Sequence, residues 1–359
     1  MTTSAEGVSE PEADKPGAAR AAARAGAEAG AKAGVRAASR SRGPRPRRGL
    51  VLGGGGTLGA AWAIGALCAL EEATGWDPRS ADVIVGTSAG SILGALLSSG
   101  VSPCELRDHQ RGTPLTSGPL SGLLFDYDTA TGGPLPPPPR LGIGSPSLLR
   151  RTVRHPRSYP FQTVVSAFLP TGRATMDGIG VLLAALGPVE DWPDHAGLRM
   201  VAVDYDTGER VAFGAPEAPA AGVGEAVLAS CAIPGWFVPV TIDGHRYVDG
   251  GTWSATSIDL LLGHEMDEVY VLAPMASRDL DQPRSLPARV ERRYRRSVTR
   301  KMLREAKALE EEGARVELVV PGPQDLTVMG ANMMDPVHRL RVLETSLRTS
   351  AAALRAATA

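Results

Sequence analysis

A serine bracketed by glycines, Gly86-Thr87-Ser88-Ala89-Gly90, is where this sequence is best equipped for covalent chemistry. The segment 82–85 before it, Asp82 followed by Val83-Ile84-Val85, predicts a buried strand, and residues 91–97 after it a helix of small and apolar side chains. A serine on a tight strand-to-helix turn is held in strained backbone geometry, and small neighbours such as Gly86 and Gly90 let strand and helix approach each other. Its hydroxyl then projects beside a helix N-terminus, where free N–H groups favour negative charge. That is the setting of a nucleophile. The bland alternative is a glycine-rich packing turn with an idle serine.

Some thirty residues earlier, Gly53-Gly54-Gly55-Gly56-Thr57-Leu58-Gly59 also joins a short apolar strand to a helical pattern. A glycine run turns several backbone amides toward one point, which suits either a phosphate cradle or an oxyanion hole. Gly54, Gly56 and Gly59 satisfy G-x-G-x-x-G, but the next strand ends in Val85-Gly86 rather than in the acidic residue that would hold a ribose. No Lys-Ser/Thr pair follows, which excludes a Walker loop. With a candidate nucleophile on the next strand, Gly54, Gly55 and Gly56 are expected to form an oxyanion hole.

A serine needs a base, and the usual one is histidine. None of His109, His155, His195, His245, His264 and His338 stands in a recognisable motif. His245 comes nearest, but along an extended strand it lies roughly 13 Å from Asp249, too far to be oriented by it. Asp249-Gly250-Gly251 is different, because an aspartate leaves an apolar strand into two glycines and so can reach an elbow on a neighbouring strand. An ordinary Asp-Gly turn is the competing explanation.

Taken in order, strand-GGGGTLG-helix, strand-GTSAG-helix and DGG resemble the patatin-like phospholipase family over about residues 49–275. The stretch Ala229-Ser230-Cys231-Ala232-Ile233-Pro234, followed by Phe237 and Pro239, looks like the family's segment preceding the aspartate motif. The resemblance implies that Ser88 is the nucleophile, Asp249 its base without any histidine, and Gly54 to Gly56 the oxyanion donors, with Gly86, Gly90, Gly250 and Gly251 as supporting motif glycines. It implies hydrolysis of lipid carboxyl esters, of phospholipase A, lysophospholipase or esterase type, with no metal or organic cofactor. Leu58 departs from the pattern, since many members carry Arg or Lys there. Two rival functions are an α/β-hydrolase or acyltransferase that pairs the same serine with His264 or His338, and a non-catalytic lipid-binding regulatory module.

The elements that must position these groups alternate strand and helix, which predicts an α/β fold, a three-layer sandwich with a mostly parallel central sheet. Residues 1–48 are Ala, Arg, Gly and Glu with almost no large apolar side chain, so a disordered tail is expected. The catalytic domain is expected over 49–320, with an irregular Pro-rich insertion at about 111–160, and a C-terminal helical segment over 321–359. Helices are expected over 60–73 and 91–97, hairpins over 200–213 and 240–248, buried strands at 268–273 and 315–320, and a highly charged helix over 288–312. The basic part of that helix, 288–307, is expected either to touch anionic membrane or to be a solvated face.

Composition narrows the partners. Lys plus Arg total 38 against 39 Asp plus Glu, so no nucleic-acid partner is expected from global charge. Cys68, Cys104 and Cys231 are odd in number, far apart and set in apolar stretches, the look of buried free thiols in a reducing, cytoplasmic compartment; any peripheral membrane contact is expected through the basic helix. The uncharged stretch 83–104 is long enough to cross a bilayer but breaks at the GTSAG turn, so no membrane-spanning helix is expected.

Overall fold

The computed structural model describes residues 45–130, 133–138, 141–279 and 281–358. Of the tail expected over 1–48, residues 1–44 lie outside the described residues; its end is corrected, since the Arg47 amide donates to the Asp267 carboxylate and Arg48 opens the first strand. Every strand and helix named below Pro46 in the chain belongs to one unit, Pro46–Ala359.

The first two strand-helix units carry the candidate chemistry. β1 (Arg48–Leu52) leads through the glycine run into α1 (Gly56–Thr74), and β2 (Val83–Thr87) leads through Ser88 into α2 (Ala89–Ser98). Both helices begin a few residues earlier than the apolar periodicity predicts, because their first turns are Gly, Thr, Ala and Ser. α3 (Pro103–Gln110) starts at a capping box between Ser102 and Glu105. α4 (Pro146–Arg154), α5 (Phe161–Phe168) and α6 (Asp177–Ala184) come next. The expected irregular insertion at 111–160 is thus corrected by α4, which Ser145 caps by accepting from the Leu148 amide at 3.1 Å and which buries Leu148 and Thr152.

β3 (Leu198–Asp204) and β4 (Arg210–Phe213) form the first hairpin, and α7 (Val223–Cys231) leads to the second, β5 (Val240–Ile242) with β6 (His245–Asp249). β7 (Glu268–Leu272), α8 (Leu286–Glu311), β8 (Arg315–Val319), α9 (Pro323–Met329) and α10 (Arg339–Thr358) complete the chain. The eight strands make one sheet in the order β5-β6-β3-β2-β1-β7-β8, with β4 paired to β3. From β3 to β8 all neighbours are parallel; β4, β5 and β6 add the antiparallel pairs.

Strand periodicity divides the interior in two. Leu50, Leu52, Ile84 and Met200 face α1, α2, α7 and α10, whereas Val51, Val83, Val85 and Val201 face α8 through Val298, Met302 and Leu309. Helices therefore cover both faces, the three-layer arrangement. α1 is buried from Leu58 to Leu70 except at Ala60 and is the central helix; α10 approaches it where Gly65 has no side chain and Ser346 donates to the Trp62 carbonyl at 2.6 Å. Each large apolar side chain buried this way contributes roughly 1.5–3 kcal/mol. A third, small core of Leu148, Ala167, Val203, Tyr205 and Val248 seats α4 and α5 over the far ends of β3 and β6. Cys68 and Cys231 are buried free thiols, but Cys104, in the first turn of α3, is exposed, which corrects the expectation for that residue.

Candidate active site

One strand edge brings the two candidate groups together. β4 pairs with Met200 to Val203 of β3 and occupies one of its edges, so β2 and β6 must share the other. β2 pairs with the first half of that edge, ending at Thr87 opposite Val201, and β6 runs in from the far end to finish with Asp249 opposite Ala202. Two strands that are distant in sequence therefore meet head to head, and Ser88 and Asp249 leave them at the meeting point.

Ser88 sits at φ 52°, ψ −124°, a conformation that L-residues rarely adopt, between β2 and α2. Several contacts hold it there. Its amide donates to Ser230 Oγ at 2.9 Å, and Ser230 in turn donates to the Val201 carbonyl at 2.6 Å, tying the elbow to β3. Its carbonyl accepts from the Ser91 amide and hydroxyl, both at 2.7 Å. Gly90 is required by close approach, since a Cβ there would lie 1.9 Å from the Leu52 carbonyl oxygen; Gly86 is similarly crowded by the Ser91 backbone. The start of α2 thus rests on the end of β1.

Asp249 is buried. Its amide donates to the Ala232 carbonyl at 3.0 Å, and its carboxylate accepts from the Gly251 amide at 2.7 Å. A Cβ at Gly250 would fall 2.2 Å from the Val201 oxygen, so the chain passes β3 here too closely for any side chain. Burial pushes the Asp249 carboxyl up to about 6, while the nearby Ser88 hydroxyl and the Gly251 amide pull it back down. Near neutral pH it is an ionised carboxylate, poorly hydrated and more basic than usual, facing a serine hydroxyl.

The glycine run does not supply all three expected oxyanion donors. The Gly54 amide donates to the Ala255 carbonyl at 2.9 Å, so it is already used, and the role expected for it is corrected. Gly54 instead gives Ser88 room, because a Cβ there would lie 3.2 Å from Ser88 Cβ. Gly55 caps α1 and Gly56 begins it, where first-turn amides lack intrahelical acceptors; the Gly55 carbonyl accepts from the Gly59 amide at 2.9 Å, but among the described residues neither the Gly55 nor the Gly56 amide donates to another backbone carbonyl. Gly56 has φ +60° and Met333 and Met334 against its Cα, so only glycine fits. Two helix N-termini, of α1 and α2, converge on the serine.

Two cavities meet at Ser88. One, of about 430 Å³, has Asp249, Gly55, Gly56, Tyr294 and Met275 in its walls together with Phe161, Val165 and Leu169. The other, about 90 Å³ and lined by Ile92, Leu96, Leu106, Phe125 and Met176, runs from the serine along α2 and α3 and is almost wholly apolar. Neither wall carries an arginine or a lysine. Leu58, where the resemblance led one to look for a cation, is completely buried in the core. Lys301 and Arg304 line an adjoining recess of about 290 Å³ that shares Phe161, Gln162, Gly251 and Tyr294 with the larger cavity.

No histidine lines either cavity. His109 bonds the Tyr127 hydroxyl and the Leu123 carbonyl, His195 the Ala81 carbonyl, His245 the Asp204 carboxylate, and His338 lies 3.4 Å from Asp335. Sequence reasoning gave no role to three residues of the site. Ser230 was visible only as part of a recognised stretch. Tyr294 lines the cleft from α8, its phenol pushed up to about 12 by burial and by the charge of Asp249. Glu305, also on α8, accepts from Ser254, Thr256 and the Ile258 amide, fixing the loop after Asp249; nothing in the pattern of a charged helix singles it out.

The expected basic face over 288–307 is only partly a face. Arg292 and Arg295 are buried, paired with Asp281 and Glu291 and bonded to the carbonyls of Leu326, Gly330 and Pro274. Lys301 donates to the Trp253 carbonyl at 2.5 Å. Arg289, Arg293, Arg296, Arg300 and Arg304 remain exposed.

Fold and site thus define an α/β protein with a serine elbow, a buried carboxylate partner and an apolar tunnel. Residues 50–262 match the patatin-like phospholipase family, and the chain belongs to that family, whose membership implies lipid acyl hydrolysis. Among solved structures it is similar to VipD from Legionella pneumophila, at 16% identity and a TM-score of 0.41 over 87% of this chain and 67% of that one. It is also similar to the type III effector protein ExoU, at 19% identity and a TM-score of 0.34 over 87% of this chain and 53% of that one. ExoU in complex with SpcU, from Pseudomonas aeruginosa, matches at 21% identity with a TM-score of 0.31, over 86% of this chain and 52% of that chain. The chain spans about half the length of ExoU. These likenesses are loose, and family membership rests on the sequence match.

Proposed function

We propose that this protein hydrolyses lipid carboxyl esters through a Ser88–Asp249 dyad and an acyl-enzyme. The observation that carries this reading is the shared edge of β3, which sets a strained serine against a buried carboxylate with no histidine in reach. Ser88 Oγ attacks the ester carbonyl as Asp249 takes its proton, and the amides of Gly55 and Gly56 receive the developing oxyanion. Asp249 returns the proton to the departing alcohol. Water, deprotonated by Asp249, then attacks the acyl group on Ser88; the acyl–Oγ bond breaks, Asp249 returns that proton to Ser88 Oγ, and the fatty acid leaves. Protein groups supply both the proton acceptor and the oxyanion donors, so no metal is needed for either step.

The apolar tunnel along α2 and α3 takes the acyl chain, and the alcohol side of the ester lies in the wider cavity beside Tyr294. The absence of a cation from both walls leaves a headgroup charge to be met outside, near Lys301 and Arg304. That no imidazole lines either cavity supports this reading over the rival Ser-histidine mechanism. Mass spectrometry of fatty acids released from phospholipid vesicles and from lysophospholipid tests the reading. Release by the wild-type protein and none by Ser88→Ala is expected; equal release by both, or release by neither, would overturn it.

A further inference from the structure

α5 is built inside out. Its inner side carries Thr163, Ser166 and Ala167: Thr163 donates to the Thr252 carbonyl at 2.7 Å, and the Ser166 carbonyl accepts from Tyr205 at 3.0 Å. Its outer side carries Phe161, Val165 and Phe168, which are 76%, 38% and 57% exposed, and Leu169 just beyond its end is 37% exposed. These positions, i, i+4, i+7 and i+8, form one stripe on a helix surface. Single exposed apolar residues need no explanation, but a helix in water turns its apolar stripe inward and its polar side out. Here the order is reversed, and three residues of the stripe, Phe161, Val165 and Leu169, also border the catalytic cavity, leaving Phe168 facing away from it.

The segment that carries α4 and α5 is one-signed, although Asp206, from the β3–β4 turn, accepts from Ser145 at the start of α4 and Glu305 lies beside Lys301. Between Asp128 and Asp177 the sequence has no Asp or Glu, although the whole chain is balanced at a net charge of −1. Arg150, Arg151 and Arg154 of α4, and Arg157 after it, are exposed. α4 and α5 sit on the same small core through Leu148 and Ala167, so their outer faces lie side by side. On the opposite flank Phe161 shares a recess with Lys301 and Arg304 of α8. An apolar stripe therefore runs between two banks of cations at the entrance to the site.

We infer that the outer face of α4 and α5 docks the protein on an anionic lipid bilayer, with the stripe of α5 in the headgroup–acyl boundary and the arginines on lipid phosphates. A second copy of the chain is a poor occupant, because it would set arginines against arginines. The bilayer meets both chemistries at once, since apolar burial and attraction of basic residues to acidic lipid act together at such an interface. Docking in this orientation presents the cavity mouth to the membrane, so the inference rests on the lipid-hydrolase reading and specifies where that substrate is met.

The test uses Phe168→Ser and the pair Arg150→Glu with Arg154→Glu, because none of these residues lines either cavity. Vesicle flotation with phosphatidylglycerol-containing and purely phosphatidylcholine liposomes measures docking; turnover of a dissolved short-chain ester measures the site. Each variant should partition at least about tenfold more weakly onto the anionic vesicles. Turnover of the dissolved ester should be unchanged. Wild-type binding should weaken between about 0.1 M and about 0.5 M salt, as screening predicts. Undiminished flotation of both variants would overturn the proposal. So would a wild-type dimer that Phe168→Ser dissociates without effect on flotation, which would make the stripe an interface between copies. Flotation that both variants lose, in a protein that hydrolyses no ester, would uphold the docking face and reject the hydrolase reading.

Discussion

Two strand-to-helix turns lie side by side at the centre of this molecule, and glycine serves opposite ends in them. In the turn from β2 to α2, Gly86 and Gly90 make room for neighbouring backbone, so that Ser88 can be thrust out with its own backbone at φ 52°. In the turn from β1 to α1 the side chains themselves are missing, and what lines the cavity is the backbone of Gly55 and Gly56. One turn offers a side chain on strained backbone; the other offers backbone stripped of side chains. A nucleophile needs a fixed atom, and an oxyanion needs fixed dipoles, so under the proposed mechanism similar glycine contents serve different chemistry.

Changes in the first turn and its partner strand should have the largest effects. Ser88→Ala and Asp249→Asn should each lower kcat by at least about 10⁴-fold in steady-state ester hydrolysis while the protein stays folded by circular dichroism. In the second turn, Gly55→Ala places a Cβ 2.9 Å from the Gly59 Cα and the Pro274 ring, which turns the amide away. A fall of about 10²–10³ in kcat with KM little changed is expected. Gly90→Ala should behave differently from both, losing soluble folded protein before it loses chemistry, because backbone cannot retreat from a 1.9 Å approach. Equal thermal stability of Gly55→Ala and Gly90→Ala would erase the distinction between the turns.

Local patterns made these turns legible in the sequence. Buried apolar strands, glycines and small-residue helices are all contiguous, and α/β alternation follows from them. The meeting of Ser88 with Asp249 is not local: it depends on β4 taking one edge of β3 and on the register of Val201 and Ala202, which no single segment encodes. The Gly54 amide was misassigned for the same reason, since its acceptor is Ala255, some two hundred residues away. Periodicity placed the charged helix at α8 but could not tell that Arg292 and Arg295 point inward, because buried ion pairs and solvated charges look alike in sequence. α5 escaped notice because an apolar stripe does not announce which way it faces.

Smaller effects probe what braces the first turn. Ser230→Ala leaves the Ser88 amide and the Val201 carbonyl without their shared hydroxyl, and should lower thermal stability by about 1–3 kcal/mol. Turnover should fall about tenfold as the elbow loosens, and loss of stability without any loss of turnover would show that Ser230 acts on the fold alone. Asp249 titration gives the subtlest signature. Its folded pKa of about 6 lies above the unfolded aspartate value near 3.9, so the folded state keeps a proton that the unfolded state has lost between about pH 4 and 6. Stability therefore falls as pH rises through that window, and ionised Asp249 destabilises the fold fully above it. Asp249→Asn should be the more stable protein at pH 8, by up to about 3 kcal/mol, with the advantage shrinking toward pH 4 in urea denaturation. Wild-type kcat/KM should rise with pH through about 6 and then level.

The dyad itself is tested most directly by mapping the adduct of a fluorophosphonate probe by peptide mass spectrometry in the wild-type protein, in Asp249→Asn, and in a set replacing each histidine in turn. The expected result is a single phosphonylated serine, Ser88, whose labelling rate collapses in Asp249→Asn and is untouched by every histidine replacement. An adduct on another residue, labelling of Ser88 that survives Asp249→Asn at the wild-type rate, or labelling abolished by loss of one histidine would contradict a serine activated by Asp249 alone.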